Sequence, residues 1–108
     1  MIARIITCTV APKKVTEFRT LLNTTLLPRI QAQPGFVESI EALDPNSGHY
    51  SSTTLWHNRS DVENYDNDVF QEISAKMSPL LNGNPVVQTL PVEHASKHNV
   101  RAATASQR

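Results

Sequence analysis

Between Pro34 and Tyr65 the chain reads as a helix stop, two extended segments around a tight turn, one large aromatic near the end of the second, and a fresh helix start. Gln33-Pro34-Gly35 halts a preceding helix, because the residue before a proline is pushed out of the αR region and glycine accepts positive φ. Phe36 to Asp44 and Tyr50 to His57 have strand character, and Asp44-Pro45-Asn46-Ser47-Gly48 between them is dense in turn formers. Ser60-Asp61-Val62-Glu63 has the spacing of a capping box and places a helix start there. A hairpin bracketed by helices leaves few folds open, and the flanks reduce them further.

Residues 2–10 are rich in β-branched side chains and bounded by Ala11-Pro12, which makes a strand. Ile2, Ile6, Cys8 and Val10 lie on one face, Ala3 and Ile5 on the other, the pattern of a strand covered on both sides. Val15, Phe18, Leu22, Leu26 and Ile30 recur at helical steps, with Leu21 broadening the stripe. Pro28 falls inside that stripe and must kink the helix or begin a new turn. A second stripe runs through Val62, Tyr65, Val69, Phe70, Ile73, Met77 and Leu80, with a break expected near Asn67-Asp68 and an end at Asn82-Gly83-Asn84-Pro85. Val86 to Val92 is a fourth strand whose Pro91 belongs at an edge or an end.

The order β-α-β-β-α-β predicts a ferredoxin-like α+β domain. Right-handed crossovers put both helices on one face of a four-stranded antiparallel sheet. The other face is partly apolar, and 108 residues hold no third helix to cover it. A second copy packed sheet to sheet about a two-fold axis supplies the cover, so a homodimer is expected, against a monomer with a mixed open face. Residues 1–94 make the domain. Residues 95–108, Ala/Ser-rich and without an acidic group, read as a C-terminal tail, free or laid against a partner chain.

Ten Lys and Arg balance ten Asp and Glu. That leaves no basic excess for a phosphate backbone and argues against a nucleic-acid partner. Cys8 is the one cysteine and reads as a small buried thiol. No apolar run approaches the roughly 20 residues of a membrane span, and Met1-Ile2-Ala3-Arg4 does not open a signal peptide, so a cytoplasmic protein is expected.

The run Pro28 to Phe36, followed by a hairpin ending Leu55-Trp56-His57-Asn58-Arg59-Ser60-Asp61-Val62-Glu63-Asn64-Tyr65, resembles the antibiotic biosynthesis monooxygenase domain, over about residues 2–92. The resemblance implies a dimeric α/β barrel. It also implies a small-molecule site between helices and sheet, where an aromatic substrate's own anion reduces O2 with no metal, flavin or other cofactor. The protein's part in such chemistry is desolvation and hydrogen-bond donors aimed at developing charge. Family members of this kind carry an Asn four residues before the Trp; here that position is Ser52. Lys76 stands where they carry an Arg. The haem-degrading branch carries a His about ten residues after the Trp; here that position is Asp66, and the first strand has no Asn, so haem degradation is disfavoured.

The candidate site residues are therefore Ser52, Trp56, Tyr65 and His57. Trp56 is either a core anchor or a pocket wall that stacks on a flat substrate. Tyr65 either packs in the helical stripe or hydrogen-bonds a ligand. His57 ends the third strand, where it could serve as a general base. His49 sits beside a turn. His94 and His98 have the i, i+4 spacing of metal ligands but no third partner, so no metal is expected. There is no Gly-rich phosphate loop, CxxC or G-x-S-x-G. The expected activity is oxidation of an aromatic or quinone-like small molecule with O2. The rivals are a non-catalytic dimeric binding module and an isomerase or decarboxylase with His57 as base.

Overall fold

In the structure, a computed structural model that describes residues 1–98 together with Val100 and Arg101, four strands form one antiparallel sheet. They are β1 (Ile2–Thr9), β2 (Phe36–Leu43), β3 (His49–Trp56) and β4 (Val86–Pro91), in the order β2-β3-β1-β4. This is the split βαβ arrangement that the element order predicts. Register runs from Ile2 opposite Trp56 to Thr9 opposite His49, and from Ile2 opposite Pro91 to Thr7 opposite Val86.

Strand parity decides which side chains meet the helices. Ile2, Arg4, Ile6 and Cys8 from β1 and Tyr50, Ser52, Thr54 and Trp56 from β3 are all buried on one face. The core on that face is completed by α1 (Val15–Leu21), a π-helical stretch Leu22–Leu26, α2 (Leu27–Gln31), α3 (Arg59–Asn67) and α4 (Val69–Met77).

The π stretch has a readable cause. Phe18, Leu22, Leu26 and Ile30 are spaced four apart and all buried. At about 100° per residue in an α-helix, each step of four overshoots the stripe by about 40°. A wider turn, in which the Leu27 N–H reaches back to the Leu22 carbonyl, returns Leu26 and Ile30 to the core. Pro28 then falls in the first turn of α2, where a missing N–H is tolerated.

The expected break in the second stripe lies at Asp68, between α3 and α4. The start of α3 differs from the expected capping box. Asn58 is the cap, its Oδ1 accepting from the Asp61 N–H at 3.1 Å and from the Ser60 hydroxyl at 2.6 Å. Two good N-cap residues stand two positions apart, and the earlier one wins because Ser60 spends its hydroxyl on Asn58.

The opposite sheet face carries Ile5, Leu55, Ile40, Val86 and Leu90 among Thr7, Ser51, Thr53 and Gln88. Ile40, Val86 and Leu90 are 58%, 60% and 48% exposed. Where the expected tail begins, His94, the last residue of the expected domain, and Ala95 pair with Arg101 and Val100. The His98 ring hydrogen-bonds Glu38 on β2; residues 99 and 102–108 lie outside the described residues. Among the described residues no helix is long and apolar enough to cross a membrane.

Candidate functional site

An internal cavity of about 20 Å³ lies between the sheet and the helices. That volume holds one water-sized molecule. Its sheet side is polar, with Arg4, Tyr50, Ser52 and Thr54; its helix side is apolar, with Leu22 and Leu26 from the π stretch and Ile73 and Met77 from α4. Tyr65 and Phe70 close the end beside Arg4.

Arg4 dominates the polar side. Its parity puts it between Ile2 and Ile6 on the helix-facing side of β1, and its side chain is 4% exposed. Nε donates to Asp66 Oδ1 at 2.8 Å. The guanidinium carbon lies 4.2 Å from the Phe70 ring centroid and 5.1 Å from that of Tyr65, so two aromatic rings share the cation with the one carboxylate. Arg4 Nη2 is buried with no hydrogen-bond partner, alone in this among the described residues.

Glu41, half-buried on β2, gathers the hydroxyls across the strand pair. Tyr50 donates to one oxygen, and Ser52 donates to the other at 2.9 Å. Burial first, and then the Glu41 charge, raise the Tyr50 phenol far above its usual range. Tyr65 is pushed up to about 12, chiefly by burial, with the Arg4 charge pulling down and Asp66 and Glu41 pushing up. Burial raises the Cys8 thiol, which suits an inert core group.

The expected residues divide. Ser52 and Tyr65 line the cavity. The proton of Ser52 is committed to Glu41, so Ser52 is not the free donor that the strand position implied. Trp56 is fully buried behind the site: its Nε1 donates to Thr54 Oγ1 at 2.9 Å, and its ring packs on Tyr65 and Phe36 with centroids at 5.1 and 5.8 Å. It is a core anchor and does not line the cavity. His57 is exposed, just past β3, with its backbone N–H on the Gly35 carbonyl at 2.9 Å. It does not line this cavity. Lys76 lies outside, half-exposed and 3.8 Å from Glu72. Among the described residues no three His, Cys, Asp or Glu side chains gather as metal ligands.

Arg4, Glu41 and the role of Asp66 are what a reading of motifs misses. The signal for Arg4 is parity: a lone cation on a strand face otherwise made of Ile2, Ile6 and Cys8 has to find a partner inside. A larger depression of about 610 Å³ on the outside of the helices, lined by residues such as Glu17, Leu21 and Lys76, has no buried polar group and little to fix a ligand.

Solved structures share this α+β ferredoxin-like fold. A monooxygenase from the gene ActVA-Orf6 of Streptomyces coelicolor, solved with the ligand nanaomycin D, superposes with a TM-score of 0.72 at 18% identity, covering 87% of this chain and 88% of that one. A protein named as an antibiotic biosynthesis monooxygenase gives 0.72 at 14% identity, covering 85% and 98%. A conserved protein from Methanosarcina mazei Go1 gives 0.69 at 20% identity, covering 82% and 90%. No family model and no curated protein matches the sequence. The chain has the fold of the antibiotic biosynthesis monooxygenases.

Proposed function

We propose that the chain is a cofactor-independent monooxygenase that oxidises a hydroxylated aromatic or quinone-like small molecule with O2, acting as a homodimer. One observation carries the reading: on a fold shared with a monooxygenase, the cavity under the helices joins aromatic and aliphatic walls to a buried cationic donor that nothing satisfies. Such a site strips water from a ring and offers fixed positive charge to the oxygen that becomes negative when the ring loses a proton, ahead of electron transfer to O2. In the balanced reaction a ring CH2 loses two hydrogens and gains one oxygen atom as a carbonyl, and the second oxygen atom of O2 leaves as water.

A ring does not fit in about 20 Å³, so the helical wall has to move outward on binding. That wall is interrupted at the π stretch Leu22–Leu26 and at Asp68, where its hydrogen-bond ladder is irregular. The closed cavity favours a second reading, a binding module that never admits a substrate. Haem chemistry has little support, because Asp66 occupies the position of the haem-degrading branch's His and is spent on Arg4.

Oxygen consumption with a panel of anthrones and hydroquinones separates the readings. The monooxygenase reading expects uptake above the spontaneous rate, a change in Trp56 emission on binding, and one oxygen atom from O2 in each quinone formed from an anthrone. No uptake together with no binding by any member of the panel would remove it.

A further inference from the structure

Arg4, which lines the cavity, has a buried donor with no acceptor, and this feature specifies a ligand more narrowly than the fold does. A guanidinium offers five N–H donors. For Arg4 the structure provides one acceptor, Asp66, on Nε. Nη2 itself meets no acceptor; Glu41 receives the hydroxyls of Tyr50 and Ser52, and Thr54 Oγ1 accepts from the Trp56 indole while it donates to the Arg4 carbonyl. Leaving a buried charged donor unpaired costs more than leaving a neutral one unpaired. Moreover, Asp66 and the rings of Phe70 and Tyr65 hold the group in place, so it cannot swing out to water.

We infer that Arg4 is the specificity-determining residue of this site, and that its free Nη2 binds one anionic oxygen, so that the cavity takes the ionised form of a hydroxylated ring in preference to the neutral form. This rests on the proposed reading of the cavity as the ligand site. A phenolate or enolate oxygen adds the attraction of opposite charges, strengthened away from water, to the hydrogen bond that a neutral acceptor would also make. Phe70 and Tyr65, already against the guanidinium, continue as an aromatic surface for the ring that carries that oxygen. Helix residues contribute no competing cation, since Lys76 pairs with Glu72 outside.

The test compares hydroxynaphthoquinone, acidic enough to be an anion at neutral pH, with its methyl ether, which has the same ring and no charge. Binding is followed by calorimetry and by the emission of the single tryptophan, Trp56. Wild type should bind the hydroxy compound at least about tenfold more tightly, the gain from pairing opposite charges away from water. Arg4→Gln should bring the two ligands within about threefold of each other, and Arg4→Lys should keep part of the preference, an effect that a merely structural role for Arg4 would not produce. Should Arg4→Gln fail to fold, the wild-type comparison decides alone. Equal binding of both ligands to wild type overturns the role of Arg4 and leaves the aromatic site standing. Binding of neither overturns both.

Discussion

Arg4 in the middle of β1 donates through Nε to Asp66 on α3 at 2.8 Å, and this bond ties the centre of the sheet to the helix above it. The partners differ in environment: the Arg4 side chain is 4% exposed and that of Asp66 is 36%. The carboxylate therefore remains partly solvated while the guanidinium does not, and the pair is only as strong as its weaker, wetter half. The pair leaves Arg4 Nη2 without a hydrogen-bond partner.

Removing the carboxylate should expose that cost. Asp66→Ala leaves Arg4 buried with no counter-charge and should lose about 2–3 kcal/mol in urea unfolding, below the largest values for fully buried pairs because Asp66 is partly wet. Arg4→Met in the Asp66→Ala background should recover most of the loss, since the charge that needed a partner is gone. A single-variant loss under about 0.5 kcal/mol would mean a surface-like pair and a solvated Arg4.

Trp56 separates stability from binding. It is fully buried, and its ring meets Phe36 and Tyr65 without lining the cavity. Trp56→Phe removes the bond to Thr54 and some ring volume, and should cost about 1–2 kcal/mol. Ligand affinity, read by calorimetry, should stay within about threefold. A loss of binding with intact stability would return the indole to the pocket wall.

Much of this fold was legible because local signals agree with one another. The Gln33-Pro34-Gly35 stop, the turn at residues 44–48, the two apolar stripes and the break at Asp68 all lie where the pattern puts them. The start of α3 was misplaced because Asn58 and Ser60 both qualify as caps, and only the Ser60 bond to Asn58 settles it. The site was less legible. Ser52 and Trp56 share a face of β3, yet only Ser52 reaches the cavity wall while Trp56 lies in the core, and His57, past the end of β3, is exposed. The Arg4–Asp66 contact spans 62 residues, and no local pattern encodes it.

Gly35 and Gly83 give a matched test of the helix stops. Both have positive φ, +84° and +98°. A Cβ on Gly35 would lie 2.5 Å from the Asp61 Cβ and 2.2 Å from its carboxyl, in the first turn of α3; one on Gly83 meets nothing within 4 Å. Gly83→Ala should cost about 1 kcal/mol of backbone strain alone, and Gly35→Ala about 2 kcal/mol or more, because the Asp61 Cβ cannot rotate away. Equal melting temperatures for the two variants would show that α3 shifts freely and that Pro34-Gly35 does not fix its start.

The phenols set an alkaline limit. Tyr50 and Tyr65 are the chain's two tyrosines; both are buried and both are raised, Tyr65 to about 12. Between about pH 10, where an unfolded phenol ionises, and about pH 12 the unfolded chain has fewer protons than the folded one. Stability is therefore fully present below about pH 10 and falls as pH rises through that window, by about 3 kcal/mol from Tyr65 alone. Phenolate absorbance should stay flat above pH 10 until it rises together with the loss of helical circular dichroism. A separate, earlier phenolate step in a still folded protein would place one of the rings in water.

The open sheet face tests the proposed dimer. Ile40 on β2 and Leu90 on β4 lie on its two edge strands, 58% and 48% exposed in the single chain. In a two-fold interface each substitution occurs twice, so Ile40→Glu or Leu90→Glu would bury two carboxylates without partners. Sedimentation at micromolar concentration should show wild type as a dimer and each Glu variant as a monomer. Thr16→Glu, on the exposed side of α1, should leave the dimer intact. The wild-type dimer should persist in high salt, because apolar burial is not screened as ion pairs are. A monomeric wild type would leave Ile40, Val86 and Leu90 in water, and the mixed face would then belong to a protein that works alone.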